Sequence, residues 1–172
     1  MMRILVLAGL ASLLLAACNP GMNWREVRIG EAGVKGLLPC KPDHAQRKVE
    51  IKGQTYEMDM LGCESGRALF AISTLNSDLA DKLQDVQASW QAATLAAMRA
   101  RESQSLAYPL KRAADAPPPV RVHARGRNQQ GQDVQMQGLW FTHRGRLYHA
   151  AVYAERLGAD KTEPFFSGLE LP

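Results

Sequence analysis

The sequence has 172 residues, of which 46% are hydrophobic and only 6% aromatic, so aliphatic side chains must supply most of any core. Its formal net charge of +4 is too small an excess to indicate a nucleic-acid-binding protein. It contains no phosphate-binding loop, dinucleotide fingerprint, H-E-x-x-H zinc motif or G-x-S-x-G elbow, so we predict no cofactor, no metal and no catalytic residue.

The chain begins with a short apolar segment typical of an export signal. Arg3 supplies a positive charge, and an apolar run of 14 residues follows over 4–17. The polar and turn-forming residues 19–21 stop this run, which is too short for a transmembrane helix of about 20 residues. Leu15-Ala16-Ala17-Cys18 at its end resembles the lipobox of bacterial lipoproteins.

This resemblance implies a compartment and a membrane attachment. Residues 1–17 would be a signal peptide, and Cys18 would be lipidated and become the mature N-terminus. Residues 18–23 would form a tether and residues 24–172 a single domain. The expected location is the cell envelope, facing the periplasm. Asn19 in place of Asp favours the outer membrane over the inner membrane, by resemblance to enterobacterial sorting.

Two cysteines remain once Cys18 carries lipid. An exported protein lies in an oxidising compartment, where Cys40 and Cys63 are expected to form a disulfide. The alternative is a redox or metal site, but no C-x-x-C pair is present, and only His44 lies near Cys40. The expected disulfide would stabilise the fold by roughly 3 kcal/mol through loop closure.

Alternation of apolar and polar residues predicts several strands in the first half of the chain. These predicted strands span residues 24–29, 34–38, 48–52, 55–63 and 67–74. The third and fourth form a hairpin across Gly53-Gln54, between the two cysteines. The outer ends of this hairpin are where the disulfide would close.

The hydrophobic period then changes to three and four residues. Asn76, Ser77 and Asp78 are good helix caps, and the pattern predicts a long amphipathic helix over about 77–101. Acidic residues lie towards its start and Arg99 and Arg101 towards its end, which complements the helix dipole. Its apolar stripe could bind a partner or a membrane, but a helix that covers a sheet is the favoured interpretation.

A proline-rich loop at 113–119 leads to the last part of the chain. Strands are predicted over 120–125, 134–140 and 147–154, as an antiparallel meander, followed by a short helix over 158–166 and a closing strand at 169–171. The predicted class is α+β, with an antiparallel sheet of hairpins and a meander covered by the long helix and the short C-terminal helix.

A basic surface is the best candidate for recognition. Alternation along a strand places four of its side chains on one face, and two more lie in a nearby turn. The members are Arg121, His123, Arg125, Arg127, Arg144 and Arg146. This surface could meet an envelope protein, anionic lipid or polysaccharide. It could equally be the solvated outer face of a sheet.

Histidines and paired aromatic residues were two further candidates. His123, His143 and His149 would suit zinc if they met, but they lie in three different local settings, so no metal site is predicted. Trp140-Phe141 and Phe165-Phe166 are adjacent apolar pairs. One member of each pair should reach the core, and the other would need cover from a helix, a loop or a partner.

The order of elements resembles PsbP-like domains. The resemblance depends on two segments. In Gly145–Ala151 a strand follows a turn, and in Phe165–Leu169 a helix leads to a last strand. Pro39-Cys40-Lys41-Pro42 is similar to a segment of uncharacterised proteobacterial lipoproteins. The resemblance implies a non-enzymatic accessory or binding module. The alternative is an envelope hydrolase whose site forms only in the tertiary structure.

Overall fold

The computed structural model describes residues 22–75 and 79–172. Cys18, the signal segment and the predicted capping residues 76–78 lie outside the described residues. The strands of the described part are β1 (Arg25–Ile29), β2 (Val34–Leu38), β3 (Asp43–Ile51), β4 (Gln54–Ser65), β5 (Ala68–Leu75), β6 (Glu102–Ala107), β7 (Val120–Arg127), β8 (Asp133–His143) and β9 (Arg146–Ala154). A 3-10 helix at Ala80–Lys82 precedes α1 (Leu83–Ala97), and α2 spans Ala159–Ser167. Neither described helix is long and apolar enough to cross a membrane.

Seven of the described strands form one antiparallel sheet in the order β3-β4-β5-β9-β8-β7-β6. Strands β1 and β2 pair only with each other, as a separate antiparallel hairpin. The predicted α+β class and the meander β7-β8-β9 are therefore confirmed. The meander joins the first half of the chain through β9, which pairs with β5 from Ala68↔Ala154 to Thr74↔Tyr148.

The two faces of the sheet have separate cores. Helix α1 packs on one face, here called the α1 face, against Trp140, Leu147 and Met136 among others. The β1–β2 hairpin and α2 cover the opposite face, here called the hairpin face, against Phe70 and Phe141. A sheet covered on both sides buries alternating residues of its central strands in both directions, which is why so few central positions are polar.

Both aromatic pairs are fully covered. Trp140 and Phe141 point to opposite faces of the sheet, and each has no exposed surface. Phe165 and Phe166 lie on α2 rather than on a strand, and both pack into the core of the hairpin face. The member of each pair that was expected to need cover from a helix, a loop or a partner is covered from within the fold, Trp140 by α1 and both phenylalanines of α2 by the core of the hairpin face.

The long helix is shorter than predicted. It ends at Ala97, where Arg99 takes a left-handed backbone conformation with φ 46°. The amide of Ala100 donates to the carbonyl of Leu95 at 2.9 Å, which closes a Schellman motif. The predicted extension to residue 101 is wrong. A glycine usually occupies, and so reveals, the left-handed position that ends a helix, but here Arg99 occupies it.

Two other segments differ from their predictions. Strand β6 was not predicted, because Glu102–Ala107 is exposed throughout and carries no apolar–polar alternation. The predicted closing strand at 169–171 is reduced to a single bridge between Glu170 and Lys35. The two backbone hydrogen bonds of this bridge, 2.9 and 3.1 Å long, attach the C-terminal segment to β2.

The predicted disulfide is confirmed. Cys40 and Cys63 are bonded, with their Cα atoms 6.0 Å apart. Cys40 follows β2, and Cys63 lies near the end of β4, so the bond ties the loop after the β1–β2 hairpin to the main sheet. Cys63 is buried in the core of the hairpin face, and Cys40 packs against that core.

The sheet has two ends that carry different turns. The Gly66 end has the β4–β5 turn at Gly66-Arg67, the β7–β8 turn at 128–132 and the C-terminus of α1. The Gly145 end has the β3–β4 turn at Lys52-Gly53 and the β8–β9 turn at Arg144-Gly145.

Candidate binding surfaces at the Gly66 end of the sheet

The basic residues predicted from the sequence do not form one surface. The register places Arg121, His123, Arg125 and Arg127 on the hairpin face of β7. Arg127 pairs with Asp133 at the first residue of β8, whereas Arg146 pairs with His143 at its last residue. Ten residues of strand separate these levels, about 33 Å. Arg144 and Arg146 therefore lie at the opposite end of the sheet from Arg127.

Carboxylates offset most of this positive charge. The ion pairs are Arg125–Glu102 at 3.8 Å, Arg127–Asp133 at 3.5 Å, Arg121–Glu163 at 3.2 Å and Arg146–Glu31. The carboxylate of each pair is exposed, so the pairs contribute little to stability, but they lower the positive potential that an anionic partner would meet. Arg144 is exposed and has no ion pair with any described residue.

Arg121 is a packing residue. Its side chain is only 12% exposed, and its guanidinium lies 4.3 Å from the ring centre of Phe166 and 5.6 Å from that of Tyr108. It donates to Gln137 at 2.6 Å and to Glu163 at 3.2 Å. These contacts hold α2 against the sheet, so this guanidinium is already engaged inside the fold.

The three histidines are not brought together. His149 lies on the α1 face, stacked on Trp140 with ring centres 3.9 Å apart and edge-on to Trp90 at 5.5 Å. Burial lowers the pKa of His149 to about 3, so it is neutral near pH 7. His123 and His143 lie on β7 and β8, on the hairpin face. Across residues 22–75 and 79–172, no three His, Cys, Asp or Glu side chains are grouped as a metal site.

His123 lines a shallow cleft of about 470 Å³ on the hairpin face, beyond α2. The cleft is mostly polar, with Gln104, Gln135 and Arg125 beside the imidazole. Burial lowers the pKa of His123, and the positive charge of Arg121 lowers it further. The cleft therefore offers amide and neutral imidazole groups to a ligand and little net charge.

A larger groove of about 1160 Å³ opens on the α1 face at the Gly66 end. It lies where the sheet extends past the C-terminus of α1, so Ala97 and Met98 form one wall and Arg47 of β3 contributes to another. Leu69 and Tyr153, paired across β5 and β9, line the groove. Leu69 is 40% exposed, which leaves apolar surface open to a ligand.

The charges around this groove are of both signs. Arg67 and Glu64 flank the β4–β5 turn, and Glu155 follows β9. The phenol of Tyr153 has its pKa raised to about 12, because burial opposes its ionisation more than the charge of Arg47 favours it. No local sequence pattern predicts the groove, since strand pairing brings its lining together from positions as distant as 47 and 155.

The first described residues also lie at the Gly66 end. A Cβ atom built on Gly66 would lie 3.3 Å from Cε of Met22 and 3.7 Å from Cε of Lys161. The amide of Asn23 donates to the carbonyl of Pro39 at 2.8 Å. Met22 and Asn23, predicted as part of the tether, therefore contact the folded domain.

Comparisons with known proteins add no relative to this description. No family model matches the chain, and a search of curated proteins finds no match.

Proposed function

We propose that the protein is a lipid-anchored lipoprotein of the cell envelope that acts as a non-enzymatic accessory or binding module. The observation that carries this proposal is the lipobox-like Leu15-Ala16-Ala17-Cys18 after a short apolar segment. The Cys40–Cys63 disulfide supports export, because such bonds form in oxidising compartments. Attachment through Cys18 would place the domain at the periplasmic surface, with the outer membrane favoured by Asn19.

The chemistry of the groove favours a binding module over the alternative hydrolase. A hydrolytic site needs a nucleophile or an activated water beside a base of suitable pKa. The groove-lining group with a strongly shifted pKa is Tyr153, and the shift keeps its phenol protonated. His149 is neutral but fully enclosed beneath α1, away from any substrate. Apolar surface at Leu69 with charges around it is better suited to holding a ligand.

The anchor is tested by mass spectrometry of the mature N-terminus. A diacylglyceryl group on Cys18, with residues 1–17 removed, is the expected result. Cys18→Ser should leave an unlipidated protein that no longer fractionates with membranes. An intact Met1 on the mature protein would overturn the proposal.

The binding role is tested with two leucines of equal exposure. Leu69 lies in the groove and Leu106 on the edge strand β6, and they are 40% and 41% exposed. Leu69→Asp should abolish cross-linking of envelope components to the protein, because it places a carboxylate on the apolar surface of the groove. Leu106→Asp, the matched control, should leave cross-linking unchanged. Equal cross-linking by both variants would remove the groove from the proposal.

A further inference from the structure

We infer that the Gly66 end of the domain faces the bilayer, with Arg67 at the level of the headgroup phosphates. The groove on the α1 face then opens at the membrane surface, and Arg144 and Arg146 lie at the end away from it. This inference rests on the proposed lipidation of Cys18 and specifies which surface of the domain meets the membrane.

The length of the tether sets the first limit. Cys18 precedes Met22 by four residues, which span at most about 14 Å when fully extended. Met22 packs beside Gly66 at the β4–β5 turn. A lipid on Cys18 therefore holds the backbone of Met22, whose side chain packs beside this turn, within about 14 Å of the bilayer surface.

The length of the sheet sets the second limit. From the level of Asp133 to that of His143, β8 extends about 33 Å, and the β8–β9 turn lies beyond its far end. The tether, at most about 14 Å long, is too short to let the bilayer reach that turn while the sheet stands upright. The Gly145 end can approach the membrane only if the domain lies on its side.

The side chains at the Gly66 end fit a phosphate-rich surface. Arg67 is exposed on the β4–β5 turn, and Arg99 and Arg156 are exposed nearby; none has an ion pair with a described residue. Guanidinium groups bind phosphate oxygens through paired hydrogen bonds. Glu64 and Glu155 also lie at this end, so orientation depends on the tether and on local phosphate contacts more than on net charge.

The test compares two positions in the intact lipidated protein. Lipid on Cys18 and the Cys40–Cys63 bond leave an introduced cysteine as the only free thiol. Gln129→Cys, on the β7–β8 turn at the Gly66 end, and Arg144→Cys are each labelled with an environment-sensitive fluorophore, so that Arg67 stays in place. Each labelled protein is bound to phosphatidylcholine–phosphatidylglycerol vesicles containing lipids brominated near the headgroup. We expect severalfold stronger quenching at position 129 than at position 144.

Equal quenching at the two positions would show a domain lying on its side, and stronger quenching at position 144 would show the reverse orientation. Either result overturns the inference while leaving the lipid anchor intact. Failure of the unlabelled, purified protein to float with vesicles would instead overturn the anchor itself, and the orientation with it.

A second pair of variants tests the phosphate contact. The label is placed on the β7–β8 turn by Gln129→Cys, at the same end of the sheet as Arg67. Arg67→Glu should reduce quenching of this label severalfold, because a carboxylate is repelled by phosphate. Arg144→Glu, the matched charge reversal at the other end, should leave it unchanged. Equal effects of the two reversals would exclude a specific contact at Arg67.

Discussion

Both faces of the sheet are covered, but their aromatic residues pack against different kinds of side chain. On the hairpin face, Phe70 packs edge-on against Trp24 at 5.9 Å and Phe165 at 5.6 Å. On the α1 face, the ring of Trp140 stacks instead on the imidazole of His149, with ring centres 3.9 Å apart. Buried polar atoms without a hydrogen-bond partner among the described residues lie on both faces, for example Tyr148 Oη on the hairpin face and Trp140 Nε1 on the α1 face. The α1 face therefore differs in holding a buried histidine whose pKa is lowered to about 3.

The largest expected effect comes from truncating the aromatic core of the hairpin face. Phe165→Ala removes a fully buried ring that touches Phe70 and Phe166, and should lower the free energy of unfolding by about 3–5 kcal/mol. Urea denaturation measures the change. Leu106→Ala, at a site 41% exposed, should change it by less than about 0.5 kcal/mol. A small loss at Phe165 would contradict the role assigned to this face.

The disulfide beside the same face should have the next largest effect. The double change Cys40→Ser with Cys63→Ser opens a loop whose ends are 23 residues apart. The free energy of unfolding should fall by about 3 kcal/mol, because the unfolded chain regains loop freedom. Denaturation of the oxidised and reduced wild-type protein should give a matching difference. Reduction without any change in stability would contradict this.

The α1 face should give a pH-dependent effect. The pKa of His149 is about 3 in the folded protein and near 6.5 when unfolded, so the unfolded state binds more protons between these values. The contribution of neutral His149 to the free energy of unfolding is fully present above about pH 6.5, and it is lost as the pH falls towards 3. Between pH 7 and pH 5 the loss should be about 2 kcal/mol.

The variant His149→Leu isolates this contribution. It removes the titrating group and one unpartnered polar atom, so its stability should fall by about 2 kcal/mol less than that of the wild type between pH 7 and pH 5. Urea denaturation at the two pH values gives the comparison. Leu106→Ala, at an exposed position of β6 that carries no titratable group, serves as the control and should leave the pH dependence intact. Parallel pH profiles for His149→Leu and wild type would refute the assignment.

The smallest expected effect compares Arg121 with Arg125, which lie on the same face of β7 and have equivalent positions in the sequence pattern. Arg121→Ala should lower the free energy of unfolding by about 1–2 kcal/mol, because it removes the contact with Phe166 and two hydrogen bonds. Arg125→Ala, at an exposed ion pair, should cost less than about 0.5 kcal/mol. Thermal and urea denaturation of both variants decide whether Arg121 belongs to the core of the hairpin face.

The sequence predicts strands in two ways. Strand β7 is found because apolar and polar residues alternate along it. Strand β9, buried almost throughout, is found as a short apolar run that follows a turn. Strand β6 is missed because an edge strand that is exposed on both faces leaves no such pattern. The end of α1 is missed because Arg99, rather than a glycine, adopts the left-handed conformation.

The candidate surfaces are harder to predict because they depend on register and on long-range pairing. Alternation correctly groups Arg121 with Arg127 on one face. Alternation does not reveal that β8 carries the chain to the other end of the sheet, so that Arg146 lies a full strand length from Arg127. The groove is built from strands far apart in sequence, and no local pattern marks it.

The central position of β9 has a consequence for the order in which the chain can fold. Ala68 in β5 pairs with Ala154, 86 residues later, so one edge of β5 stays unpaired until nearly the whole chain has emerged. Such distant pairing is slow and leaves a strand edge open to other chains. Both bonded cysteines precede β5, so the covalent cross-link can form well before the sheet is complete. The last hydrogen-bonded strand to arrive thus joins two halves that were built separately.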